Sequence, residues 1–226
     1  MRIKKYPQSH LLLTNDLGKK LIIDPGYLTF NPSTGSASSP QAGSGQEFKV
    51  EDFQGADLYL ITHQHADHLD PQTIKEVIRN SPVYGNSDVV NKLKEVGVNG
   101  LEVTNSQEFS IAAFNIKAVD LPHFQKPGVT MPPNTGYVVD GVFFHPGDGW
   151  ELEGLQVHNA AIPISSPPEG ELKLEQGLTL AKSLQAKVVI PIHYDAYPAD
   201  PNEFAKMAAN EGIRTIILSP GEETEI

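Results

Sequence analysis

The chain has 226 residues, and its 17 Lys and Arg against 28 Asp and Glu leave a formal charge of −11 at neutral pH. That length suffices for one domain with a substantial core, while the charge offers no excess of cations for a nucleic acid backbone or an anionic membrane surface. With no cysteine, disulfides, thiolate nucleophiles, iron–sulfur clusters and cysteine-based zinc sites are excluded, and any metal must be held by nitrogen and oxygen.

Residues 1–6 (MRIKKY) lead into a polar turn and lack the apolar stretch of a secretory signal. No apolar run approaches the roughly 18 residues of a membrane span, so a cytoplasmic location is expected. Residues 11–14 and 21–23 are short apolar runs on either side of Asn15-Asp16-Leu17-Gly18 and predict a hairpin. The second run stops at Asp24-Pro25-Gly26. Residues 31–45 are nearly all Pro, Ser, Thr, Gly and Ala, without a charge. That composition cannot build a core and predicts a flexible surface loop, either a disordered insertion or a flap.

Residues 58–62 (LYLIT) read as a buried strand running into His63-Gln64-His65-Ala66-Asp67-His68. Asp70-Pro71 is an N-cap pair, followed by Ile74, Val77 and Ile78 as the stripe of an amphipathic helix. Residues 83–84 read as a strand, 87–96 as a helix stopped by Gly97, and 101–121 as two or three strands. Tyr137-Val138-Val139 and Val142-Phe143-Phe144 flank Asp140-Gly141, a pair suited to a two-residue hairpin turn. That hairpin delivers His145-Pro146-Gly147-Asp148. Leu174, Leu178, Ala181 and Leu184 form a helical stripe, 187–192 a strand ending at His193, Phe204, Met207 and Ala208 another stripe, and 214–218 a last strand. Strands followed by helix–strand alternation in both halves, without a linker, predict one α+β domain over residues 1–226, with mixed sheets covered by helices.

Three of the eight histidines fall within six residues. His63, His65, Asp67 and His68 stand at i, i+2, i+4 and i+5, which fits neither one helical face nor one strand face. A turn leaving a strand end can instead point His63 and His65 to one metal and Asp67 and His68 to a second. Imidazole and carboxylate suit zinc, manganese or iron. His145 is expected to pack or hydrogen-bond near such a site rather than ligate, and His10 and His158 to be strand-end or surface residues.

Thr62-His63-Gln64-His65-Ala66-Asp67-His68 closely resembles the T-H-x-H-x-D-H signature of the metallo-β-lactamase fold superfamily. The later stations follow in the same order: Asp24 before the cluster, then His123, Asp148 in Gly147-Asp148, and His193. The resemblance implies an αββα sandwich of two mixed sheets flanked by helices. It also implies two divalent ions, zinc before manganese or iron. His63, His65 and His123 would hold the first ion and Asp67, His68 and His193 the second, with Asp148 bridging and Asp24 hydrogen-bonding ligand histidines.

Such a pair activates a shared hydroxide, with Asp67 and Asp148 as the carboxylates of catalysis. The His68-Leu69-Asp70 continuation and the His193-Tyr194 ending look most like the compact zinc-dependent branch. That branch holds ascorbate-6-phosphate lactonase-like proteins and relatives of N-acyl-phosphatidylethanolamine phospholipase D. The implied reaction is hydrolysis of an ester, lactone or phosphodiester bond in a small polar metabolite, with Lys126 and Tyr194 as candidate rim residues. The alternative is a metal-binding sensor of the same fold without turnover. Neither nucleic acid nor membrane is an expected partner, and the sequence does not indicate an oligomeric state.

Overall fold

The computed structural model describes residues 1–30, 48–166, 172–197 and 199–226; the whole of the predicted loop at 31–45 lies outside them. Among the described residues, the strands form two seven-stranded sheets. The first contains β1 (Arg2–Lys5), β2 (Leu11–Thr14), β3 (Lys20–Ile23), β4 (Leu58–Leu60), β5 (Val83–Gly85) and β6 (Leu101–Glu102) side by side. The second runs β7 (Glu108–Ile111), β8 (Phe114–Asp120), β9 (Thr135–Val139), β10 (Phe143–His145), β11 (Asn159–Pro163), β12 (Val188–Ile192) and β13 (Arg214–Thr215). β14 (Glu223–Glu225) returns to the first sheet, antiparallel to β1.

The central strands are apolar on both faces, which is why β3, β4, β9, β10 and β12 read as nearly continuous apolar runs. Successive side chains alternate: Leu21, Ile23, Leu58 and Leu60 face the second sheet and meet Tyr137, Val139, Phe143, Ile190 and Ile192. The one-turn helix α1 (Tyr27–Phe30) follows β3, and Ile22, Tyr59 and Ile61 face outward against Ile74 and Val77 of α2 (Pro71–Val77) and Val89 and Leu93 of α3 (Ser87–Glu95). On the other flank Val138, Phe144, Ile162 and Val189 pack on Leu180 and Ala181 of α4 (Leu174–Ser183) and Phe204 and Ala208 of α5 (Pro201–Asn210). The order of layers is helix, sheet, sheet, helix.

The predicted hairpins form. Leu11 pairs with Ile23 across β2 and β3, and the Asn15 side chain accepts from the amides of Leu17 and Lys19 at 3.0 Å. Asp140 and Gly141 take φ of 52° and 69° and turn β9 into β10, but Val139 pairs with Phe143, so Val142 joins them in a three-residue connection where two residues were expected. Asp70 caps α2, accepting from the Gln72 amide. The strand expected at 214–218 shrinks to β13, an edge strand paired only with β12. Three strands carry too little apolar pattern to be read: β1 alternates with lysines, β11 is built on small residues, and β14 is the charged sequence ETE.

One hydrogen bond crosses between the sheets directly behind the histidine turn. The buried Tyr137 hydroxyl donates to the carbonyl of Ile61 at 2.9 Å. Tyr137→Phe leaves that buried acceptor unpaired and should lower stability by about 1–2 kcal/mol, read as a lower urea midpoint with an unchanged m-value.

Candidate metal centre

Every candidate residue leaves the sandwich at the carboxyl end of a strand. Asp24 follows β3, the histidine turn follows β4, His123 follows β8, Asp148 follows β10 and His193 follows β12. β3 and β4 are parallel. β8, β10 and β12 share one direction, since β9 is antiparallel to β8 and β10 while β11 is parallel to β10 and β12. Residues far apart in sequence therefore emerge at one edge.

They form two groups there. His63, His65, His123 and Asp148 each offer a donor atom within 4.8 Å of the others, and Asp67, His68 and His193 do the same. Asp148 is buried between the groups. Its Oδ2 lies 3.8 Å from His63 Nε2 and 3.4 Å from His123 Nε2, while its Oδ1 lies 3.0 Å from His68 Nε2 and 3.3 Å from His193 Nε2. One carboxylate thus presents one oxygen to each group. Asp67 Oδ2 joins the second group, 3.2 Å from His193 Nε2.

Hydrogen bonds on the far side of the rings fix which nitrogen faces inward. His123 Nδ1 donates to the Phe124 carbonyl at 2.8 Å, and His193 Nδ1 to the Ser165 carbonyl at 2.7 Å. His68 Nδ1 is held by Asp24 Oδ2 at 2.7 Å. Thr62 Oγ1 donates to the same Asp24 oxygen at 2.7 Å, so its lone pair accepts from His63 Nδ1 at 3.1 Å. Four rings therefore carry a proton on Nδ1 and turn Nε2 inward, where it can ligate a metal. His65 alone presents Nδ1, 3.1 Å from His63 Nε2 and 3.2 Å from His123 Nε2.

The charge balance shows what the donor set lacks. Burial would raise the Asp148 pKa, yet His193 and His68 hold it well below the carboxylate range. Burial likewise opposes protonation of His68, but Asp148, Asp24 and Asp67 overcome it and hold its pKa well above the imidazole range; His193 is raised by Asp148 and Asp67 in the same way. His63, His65 and His123 are lowered, chiefly by burial. Protons on His68 and His193 thus neutralise carboxylates that a divalent cation would neutralise better. His68 Nε2 and Asp148 Oδ1, both buried, make no hydrogen bond despite their 3.0 Å separation. Two buried atoms without a hydrogen bond, ring nitrogens turned inward and buried carboxylates fit a divalent metal.

The backbone around the centre permits few substitutions. A Cβ on Gly26 would overlap the Asp67 carbonyl, so glycine lets the segment after β3 lie against the histidine turn. Gly147 has φ +60° and would strike Asn134 Oδ1 and Thr62. Asp24 and His193 also have positive φ, 52° and 63°, a region that Asp and His tolerate better than most residues.

Some expectations need correction. Tyr194, expected at the rim, turns inward because the strand's alternation continues past His193. It is 2% exposed and its hydroxyl donates to the Leu218 carbonyl. Lys126 is half-buried in a turn bridged to Val129. His10 stands at a strand end as expected but is buried, stacked on Tyr6 at 4.6 Å and bonded to Thr29 Oγ1. His158 is exposed just before β11. His145 belongs to neither group: Nε2 donates to the Ser9 carbonyl and Nδ1 accepts from the Gly147 amide, so it braces the Asp148 turn.

Sequence reasoning passed over three residues. Thr62 links Asp24 to His63. Asn134 Oδ1 accepts from the Asp148 amide at 3.1 Å. Tyr197, half-buried, lies with its ring 5.6 Å from that of His193. The threonine was visible inside the motif, whereas no spacing rule marks the other two.

A family model described as a beta-lactamase superfamily domain matches residues 2–193. The chain belongs to the beta-lactamase superfamily. A UPF0173 metal-dependent hydrolase of Pyrococcus furiosus is 30% identical over 224 residues, covering 92% of each chain. Among solved structures, the metallo hydrolase Igni18 from Ignicoccus hospitalis superposes with a TM-score of 0.75 at 24% identity, covering 100% of this chain and 98% of that one. An isothiocyanate hydrolase from Delia radicum gut bacteria gives 0.78 at 18% identity, covering 100% and 99%. Both likenesses establish the metallo-β-lactamase fold.

Two predictions test the centre. Asp24→Asn removes the charge that holds His68 Nδ1–H and should weaken zinc binding about 10- to 100-fold, measured by competition with a chromophoric chelator. Because His68 and His193 carry raised pKa values in the ion-free protein, a metal must displace their protons, so affinity should climb as pH rises through neutrality. Calorimetry of zinc binding at pH 7 in two buffers of different ionisation heat should show net proton release.

Proposed function

We propose that the chain is a dinuclear metal-dependent hydrolase that cleaves an ester, lactone or phosphodiester bond of a small polar metabolite. The observation that carries this reading is the buried Asp148, with one oxygen toward each group of donors. His63, His65 and His123 would hold one ion, Asp67, His68 and His193 the other, and Asp148 both. The nitrogen and oxygen donors favour zinc, with manganese or iron as alternatives. Bound there, divalent ions supply Lewis acidity and lower the pKa of a coordinated water toward neutrality.

The chain's own groups complete the task. His65 and Asp67 are the only members of the two groups not fully buried, so substrate approaches past them. Asp67 stays ionised, because His68 and His193 outweigh the effect of burial; it orients a water by accepting its hydrogen bond and is a weak base for removing its proton. The Tyr197 hydroxyl, pushed up to about 12 by burial and then by Asp67 and Asp148, stays protonated and can donate to a substrate oxygen. A small molecule is the proposed partner, with neither nucleic acid nor membrane.

Protein loaded with zinc or manganese should contain about two ions per chain by elemental analysis and turn over members of a panel of lactones, thioesters and bis(4-nitrophenyl) phosphate. Asp148→Asn should lower kcat/KM by more than the roughly hundredfold that loss of an outer hydrogen-bond partner costs. Fewer than one ion per chain would remove the dinuclear centre, and full occupancy without turnover would favour a sensor.

A further inference from the structure

A cleft of about 810 Å³ lies between the segment that carries His123 and the returning segment 129–134. Its size is that of a small-molecule site, and it adjoins the metal centre because His123 lines it. Leu121, Val129, Met131 and Pro132 supply apolar wall, and Val129 is 48% exposed. Asp120 is the one formally charged residue lining the cleft; among the described residues no Lys or Arg lines it, Lys126 included. The Asp120 carboxylate is exposed at the end of β8 and accepts from Thr135 Oγ1 at 3.3 Å.

We propose that this cleft holds the non-reacting part of the substrate and selects an uncharged, largely apolar group there. The assignment rests on the hydrolase reading and narrows it: the bond cleaved is polar, but the substituent beside His123 carries no negative charge. A carboxylate or phosphate placed in the cleft would meet Asp120, and among the described residues no Lys or Arg lines the wall to offset it. At about 6 Å, with a dielectric between those of water and a protein surface, this repulsion corresponds to roughly a five- to tenfold loss of affinity.

Met131 gives a direct reporter, since the chain has three methionines and Met207 lies on α5, away from the cleft, as an internal control. Zinc-loaded protein with ¹³C-methyl methionine is titrated with N-phenylbutyramide and with N-phenylsuccinamate, which carries a carboxylate in place of the terminal methyl of the same acyl chain. The Met131 methyl signal should shift with both, reach saturation at five- to tenfold lower concentration with the neutral amide, and leave Met207 unmoved. Asp120→Lys, at an exposed position, should abolish or reverse the preference. A Met131 signal that neither amide moves, equal saturation by the two, or an unchanged ratio in the Asp120→Lys protein would each overturn the proposal. The corresponding 4-nitrophenyl esters separate it from the hydrolase reading. Preference at Met131 without turnover defeats hydrolysis alone, whereas turnover without preference defeats the cleft alone.

Discussion

A buried carboxylate between two groups of imidazoles is the constraint on which the structure turns. Asp148 is 1% exposed, and an ionised carboxylate taken out of water is tolerated only where positive charge and hydrogen-bond donors meet it. Four ring nitrogens lie 3.0 to 3.8 Å from its oxygens, and its amide is fixed by Asn134. Those rings come from strand ends in both sheets, so the carboxylate is satisfied only when the sandwich is closed. The inter-sheet core and the Tyr137 bond to Ile61 serve that closure as much as they serve stability.

Holding the donors in place requires backbone that a relaxed chain would avoid. His193 has φ +63°, a conformation costing on the order of 1–2 kcal/mol for an L-residue, and it persists because its surroundings over-determine it. The Gln8 carbonyl accepts from the His193 amide, and the Gln8 side chain accepts from the amides of Asp195 and Ala196. Asp195 in turn takes hydrogen bonds from the buried Lys5 ammonium at 2.7 Å and from the Gln8 amide. Its partners show that it ties the loop after His193 to the turn between β1 and β2. That tie also explains how a lysine in β1 comes to be buried, since one carboxylate and one backbone carbonyl receive its ammonium.

The sequence was legible wherever chemistry is local. Both hairpins announced themselves through turn residues, α2 through Asp70-Pro71, and the histidine turn through four donors in six positions. Asp24, His123, Asp148 and His193 were reached through the order of family stations, not through any pattern of their own, and the structure brings all four to the histidine turn. Residues whose role depends on a distant partner were misread or missed. Tyr194 looks polar and available in sequence, yet packing buries it. Asn134 and Tyr197 carry no signal until the strands that position them are assembled. β14 is invisible because its pairing with β1, not its composition, makes it a strand.

The donor set and the cleft differ in how tightly the fold determines them. Four of the five donor rings are held at the outer nitrogen by a backbone carbonyl or by the Asp24–Thr62 pair, so changing one of them disturbs several partners at once. Among the described residues, the walls of the cleft come from the 120–134 segment; apart from the buried Leu121, His123 and Asn134, their side chains are exposed or half-buried and can vary without touching the inter-sheet core. A fold arranged in this way can keep one hydrolytic centre while changing what is bound beside it. For the same reason, the charge and shape of residues such as Asp120 and Met131 carry information about the substrate that the histidine motif does not.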